Sequence, residues 1–350
     1  MRRAARIGIL GCLLAGTALA AARIARNSRR ISFQGLSVVI TGGSRGLGLE
    51  LSRLLAREGA RLALIARDVD ELERAGLELE AAGADVRIYR CDVGSEEDVE
   101  CTVQAIVAER GGVDILINNA GIVQVAPFEN LAVQDFKEAM DIHAWGPLYM
   151  IRNIVPLMKR QGGGRIVNIS SIGGLVAVPH LLPYSMSKFA LTALSDGLRA
   201  ELSKDGIRVT TVAPGLMRTG SHINARFNGQ YQKEFAWFSI SDANPLLSAH
   251  SRRAARQILG ACRYGVPRLI ITLPAALLHM VNANFPSLTS AATRLAVRML
   301  PAPVLSGTAG HRSGFESGSW AAPSILTRLA DKASLRNNEL TVVCSKKRAS

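Results

Sequence analysis

The sequence predicts an α/β fold, a doubly wound parallel sheet between two layers of helices. Three observations carry this expectation. From Leu36 to Val212, short β-branched apolar runs alternate with helix-length amphipathic segments. Several of those runs lack polar alternation, as strands buried on both faces do. The first run ends in a glycine-rich stretch that opens at once into a helix. At 350 residues the chain can bury one large core with tails to spare.

In chain order, residues 7–22 form an uncharged run between Arg2-Arg3-Arg6 and Arg23-Arg26. As a helix it would be about 24 Å long, short of a bilayer core of about 30 Å. A membrane anchor or an interfacial helix is expected over 1–30. A cleaved signal peptide is the rival, because Ala18-Leu19-Ala20 resembles a small-residue cleavage site. The arginines that follow oppose translocation. Strands are expected at 36–41, 61–66, 85–90, 113–118, 164–170 and 207–212, with a seventh at 268–272. Helices are expected near 47–58, 69–81, 95–109, 133–160 and 184–204. The main α/β domain is placed at 31–273, an apolar helical extension at 274–300, and a largely disordered tail at 301–350, where the chain turns rich in Gly, Ser and Ala.

The net charge of +14 is unevenly spread: +7 over 1–35, −4 over 36–220 and +11 over 221–350. Aromatic residues are 5% of the chain. A nucleic-acid face needs basic residues interleaved with stacking aromatics on the main domain, which this pattern excludes. Basic flanks beside apolar segments fit an anionic membrane surface, and the expected location is the cytoplasmic face of a membrane. Five cysteines stand far apart without a CxxC pair, so neither a disulfide framework nor a metal site is expected.

Thr41-Gly42-Gly43-Ser44-Arg45-Gly46-Leu47-Gly48 gives the spacing TGxxxGxG between the first strand and the first helix. Glycines let the backbone turn tightly and approach a pyrophosphate, whose charge the helix N-terminus meets. Four further motifs follow: Asn118-Asn119-Ala120-Gly121, Ser171 thirteen residues before Tyr184, Tyr184-Ser185-Met186-Ser187-Lys188, and Pro214-Gly215. In this order the five motifs resemble the short-chain dehydrogenase/reductase family, in its common single-domain branch. The resemblance covers 35–220 well and 220–300 weakly. It implies a Rossmann fold, a nicotinamide dinucleotide cofactor, and dimers or tetramers built through the long helices.

Charge argues the choice of cofactor. The second strand ends Ile65-Ala66-Arg67, with no acid where one would bind ribose hydroxyls and repel a 2′-phosphate. Arg45 and Arg67 suit that phosphate through forked, charge-assisted bonds, so NADP(H) is expected. Asp68 is expected to point away as a helix cap. By resemblance, Asp92 and Val93 contact the adenine, Asn119, Ala120 and Gly121 line the cofactor, Thr219 meets the carboxamide, and Lys188 reaches the nicotinamide ribose.

For the chemistry, Tyr184 and Lys188 lie one turn apart on a helix. An ammonium under the phenol favours phenolate and lowers a pKa that is otherwise about 10. Ser171 can hold the substrate oxygen. The family commonly has an Asn on the helix after strand four, anchoring a relay water; His143 stands there, expected either to hold that water or pass protons itself, or only to pack. Phe227, Tyr231, Phe235, Trp237 and Phe238 suggest a substrate lid and a lipophilic carbonyl or alcohol substrate, or else ordinary helix core. The competing expectation is a non-catalytic NADP-binding scaffold at the membrane.

Overall fold

The computed structural model describes residues 27–304, 310–319 and 321–340. The proposed anchor run at 7–22 lies outside them. Among the described residues no helix is long and apolar enough to cross a membrane.

Seven parallel strands form the central sheet: β1 (Ser37–Thr41), β2 (Arg61–Ala66), β3 (Val86–Arg90), β4 (Ile115–Asn118), β5 (Gly164–Ile169), β6 (Ile207–Pro214) and β7 (Arg268–Ile271). Their order is β7-β6-β5-β4-β1-β2-β3. Each expected strand is present within two residues at either end. Alternate residues enter two different cores, which explains the unbroken apolar runs. Val38, Ile40, Leu62, Leu64, Ile115 and Ile117 pack on one face. Val39, Ala63, Ile65 and Leu116 pack on the other.

The helices are α1 (Gly46–Arg57), α2 (Val69–Ala81), α3 (Glu96–Arg110), α4 (Val133–Met140), α5 (Gly146–Arg160), α6 (Leu182–Glu201), α7 (Tyr231–Ala243), α8 (Ser251–Tyr264), α9 (Leu273–Asn284), α10 (Pro286–Val297) and α11 (Arg328–Arg336). Leu49, Leu51 and Leu55 of α1, Leu72 and Leu79 of α2 and Ile258 of α8 cover the first face. Val99 and Ile106 of α3, with Ile151, Ile154 and Met158 of α5, cover the second. The winding reverses at β1, flanked by β2 on one side and β4 on the other. The loops after β1 and β4 therefore diverge and leave a crevice at the carboxyl edge of the sheet, where ligands of open α/β sheets bind.

Three expectations need correction. The single helix over 133–160 is two helices joined by a π-helical turn, Asp141–Trp145. The aromatic segment after 226 turns inward. Phe227, Phe235 and Phe238 are buried together with Val125 and Leu181, with Phe227 edge-on to Phe235 at 5.4 Å. It is helix core rather than a lid. Residues 310–319 and 321–340 are structured and not a free tail: Arg312–Ser313 pairs with Arg226–Phe227, and α11 packs back on the domain.

Candidate active site

The crevice encloses about 570 Å³. Its floor is the turn after β1. The Thr41 hydroxyl accepts hydrogen bonds from the Asn119 and Ala120 amides (3.0 and 3.1 Å), which fastens the β4 loop to the β1 loop. The Asn119 side chain donates to the Thr41 and Gly42 carbonyls, so its amide holds the two loops together rather than aiming at a ligand. Gly48 is required by close approach: a Cβ there would collide with the Gly42 carbonyl oxygen. It does not line the crevice. Gly42, Ser44, Arg45, Gly46 and Leu47 do.

At the adenosine end, β2 runs out at Ala66, and Arg67 lines the crevice 3.8 Å from Asp92. Arg45 pairs with Glu71 at 2.6 Å and with Glu339 at 3.4 Å. Those carboxylates hold its guanidinium above its ordinary pKa against the opposing effect of burial. Asp68 caps α2 by accepting from the Glu71 amide, as expected, but it does not turn away: it lines the crevice and adds to the negative charge around Arg45.

At the opposite end stand Ser171, Tyr184 and Lys188. Ser171 directly follows the segment leaving β5, and its hydroxyl accepts from the Gly173 amide at 3.0 Å. Tyr184 enters the crevice from the first turn of α6. Lys188, one turn on, is 4% exposed; its Nζ donates to the Ile169 carbonyl at 2.8 Å and lies 5.6 Å from the phenol ring centroid. Burial lowers the Lys188 pKa to about 7. Burial also pushes the Tyr184 phenol up, with the hydrogen bond from Ser171 opposing it. The expected lowering of the tyrosine by its lysine is thus not what this geometry produces. Desolvation acts on both groups and favours the neutral form of each.

His143 sits on the π-helical turn, edge-on to Tyr184 at 5.4 Å. Ser187 Oγ donates to the Tyr184 carbonyl. It therefore accepts from His143 Nδ1 at 2.8 Å, while Nε2 accepts from the Ile122 amide at 3.1 Å. Burial, then the Lys188 ammonium, hold the imidazole pKa well below its ordinary value. A neutral ring with both nitrogens engaged has none left for a relay water. The packing alternative for His143 is the one this arrangement supports.

A family model described as short chain dehydrogenase matches residues 37–228. The chain belongs to the short chain dehydrogenase family. As a short chain dehydrogenase it is an oxidoreductase. It is 38% identical over 270 residues to the dehydrogenase/reductase SDR family member 7B of Danio rerio, covering 75% of this chain and 85% of that protein. The L-sorbose reductase of Gluconobacter frateurii, complexed with NADPH and L-sorbose, shares 28% identity at a TM-score of 0.62, over 69% of this chain and 97% of the other. A short-chain dehydrogenase from Streptomyces avermitilis shares 25% at 0.65, over 77% and 99%.

The crevice of this short chain dehydrogenase fits a dinucleotide: a glycine turn, a helix start without a side-chain cap at Arg45, and two arginines at the end of β2 and in the turn. Asp92, Val93, Ala120, Gly121, Pro214, Gly215 and Thr219 all line it. Sequence reasoning missed Glu71, Asn224 and Glu339, which also line it. No spacing links Glu339 to a loop 290 residues away. Among the described residues no cluster of side chains is placed to hold a metal ion.

Proposed function

We propose that this chain is an NADP(H)-dependent oxidoreductase that interconverts a carbonyl and an alcohol, with Tyr184 as the proton donor or acceptor. The observation that carries this reading is one crevice with Ser171, Tyr184 and Lys188 at one end and the glycine turn with Arg45 and Arg67 at the other. Bound there, the cofactor would supply or accept the hydride. Ser171 orients the substrate oxygen, its hydroxyl beside Tyr184. In reduction the phenol gives that oxygen its proton; in oxidation it takes one back. Lys188, whose pKa of about 7 lies near the working range, can replace the proton on the phenol. Arg45 and Arg67 favour a 2′-phosphate over free ribose hydroxyls, with Glu71 offsetting part of that charge.

A lipophilic substrate is supported by a second cavity of about 640 Å³ between α10 and the segment leading into α6. Phe128, Val178, Leu182, Val297 and Leu300 line it, two residues short of Tyr184. α9 and α10 leave Leu273, Met280, Phe285, Leu288 and Leu295 more than half exposed. No acidic residue occurs from 243 to 315, while Arg294 and Arg298 stand on and beside α10. Apolar side chains flanked by arginine suit an anionic bilayer surface. NADPH oxidation assayed against a panel of apolar ketones, with Tyr184→Phe as control, tests the chemistry. An enzyme that turns over none of them, or a control as active as the parent, would refute it. Co-sedimentation with phosphatidylserine vesicles, for the parent and Phe285→Glu, tests the surface; equal recovery of both in the supernatant removes it.

A further inference from the structure

The chain closes back on its own glycine turn. After α11, residues 337–339 lie across the start of α1, and the contacts are specific. The Gly46 amide, at the N-terminus of α1, donates to the Asn337 carbonyl at 2.9 Å. The Asn338 side chain donates to the Ser44 carbonyl (2.9 Å) and the Glu71 carbonyl (3.0 Å), and accepts from Arg74 at 2.8 Å. The Asn337 side chain donates to the Thr219 carbonyl at 2.8 Å. Glu339 is buried, its side chain 3% exposed; the carboxylate accepts from Asn224 at 2.6 Å and faces Arg45 at 3.4 Å. It stands so close to the turn that a Cβ on Gly46 would be 2.7 Å from its Oε1.

The Asn337 carbonyl takes the first amide of α1, and the Glu339 carboxylate stands at that helix's positive pole beside one of the two arginines. Those are the groups that would otherwise receive a phosphate. A carboxylate buried at this place and a phosphate cannot both occupy it without like-charge repulsion in a poorly solvated pocket.

We infer that residues 337–339 form an autoinhibitory strap, seated in the phosphate-binding part of the crevice and displaced when the dinucleotide enters. The inference rests on reading the crevice as the NADP(H) site. The strap has a firm root, since Asp331 on α11 bonds His222 at 3.2 Å and a Cβ on Gly220 would be buried in Ser334. Displacement therefore moves the short segment beyond α11 and leaves the helix behind. Because Glu339 faces Arg45, its departure also removes one of the two carboxylates that neutralise this cation, leaving Glu71, and so raises the attraction for a 2′-phosphate. The strap accordingly opposes NADP(H) more than NAD(H).

The test is fluorescence titration of the full-length protein with NADPH and NADH, for the parent, Glu339→Gln and Asn338→Gly. The glycine tolerates the left-handed backbone of Asn338 (φ 58°) while losing its hydrogen bonds to the turn. Both variants should bind NADPH about three- to tenfold tighter than the parent, with a smaller gain for NADH. Hydrogen exchange at 337–340 in the parent should speed up on saturation with NADPH. Weaker binding by the variants, together with slower exchange, would mean that the segment is a lid over bound cofactor, and would overturn the inference. Equal affinities would overturn it as well, leaving the cofactor reading intact. Failure of every protein to bind either dinucleotide would remove the cofactor reading and the strap together.

Discussion

Lys188 and Arg45 stand at opposite ends of one crevice, and their surroundings differ in kind. Lys188 has a backbone carbonyl, a phenol face and a neutral imidazole around it, and forms no ion pair among the described residues. Arg45 is held between two carboxylates. Burial without a counter-charge makes the ammonium easy to deprotonate, which suits a group that must exchange protons near neutrality. Burial with counter-charges fixes the guanidinium in its charged form, which suits a group that only has to attract an anion. The same fold edge thus keeps a reactive cation and an electrostatic one apart by what it places beside each.

The sharpest way to break this contrast is at the phenol. Tyr184→Phe removes the only proton that the proposed mechanism places at the substrate oxygen, and kcat should fall by about 10³ with NADPH affinity nearly unchanged. A loss of affinity of similar size would mean that the ring binds cofactor and does no proton work.

The lysine offers the next largest effect, read in stability as well as in rate. Its folded pKa, about 7, is below its ordinary value of 10.5. The unfolded chain therefore holds the proton more tightly, and this group costs the fold stability at and below pH 7. The cost fades as pH rises toward 10.5, so stability gains with pH across that window. Lys188→Met should abolish turnover yet raise the unfolding free energy at pH 6 by about 1–2 kcal/mol, after the loss of one hydrogen bond is offset. Denaturant titrations at pH 6 and pH 10 would check this; a gain that grows with pH has the wrong sign and refutes it.

At the other end, Arg67→Ala should weaken NADP(H) binding about tenfold and NAD(H) binding less than twofold, as expected for one charge-assisted contact of about 1.4 kcal/mol to the extra phosphate. Equal weakening would assign Arg67 to the shared part of the dinucleotide. The smallest effect belongs to His143→Asn. Because the imidazole is neutral and spends both nitrogens on Ser187 and Ile122, steady-state activity should stay within about tenfold. Complete loss would mean that the ring carries protons after all.

Much of this is legible in the sequence alone. The strands declare themselves through apolar runs, because both faces are buried. Asp68 declares itself as a cap by standing just before a helix start. Ser171, Tyr184 and Lys188 are identified by resemblance, and the fold brings them to one end of the crevice. What stayed hidden depends on contacts that have no period. Asn337, Asn338 and Glu339 read as part of a polar tail, yet they meet Gly46, Ser44 and Arg45, almost 300 positions away. The aromatic residues from 227 to 238 have the composition of a lid, and only packing on Val125 and Leu181 shows that they form a small core. The upward shift of the Tyr184 phenol is hidden from the sequence because helical spacing reports the lysine beside it and is silent on how deeply both are buried.

The π-helical turn at Asp141–Trp145 also constrains how this chain can vary. Its wider winding lets α4 and α5 run on through one continuous ladder while His143 projects toward the β4 loop. Five residues of the wider winding turn the chain about as far as four of an α-helix, so removing one residue there would leave a single unbroken helix with Ile151, Ile154 and Met158 still on the sheet they cover. The loss would be local: the bulge that carries His143 to the β4 loop. A second deletion would have no slack to draw on and would rotate that covering face by about 100°.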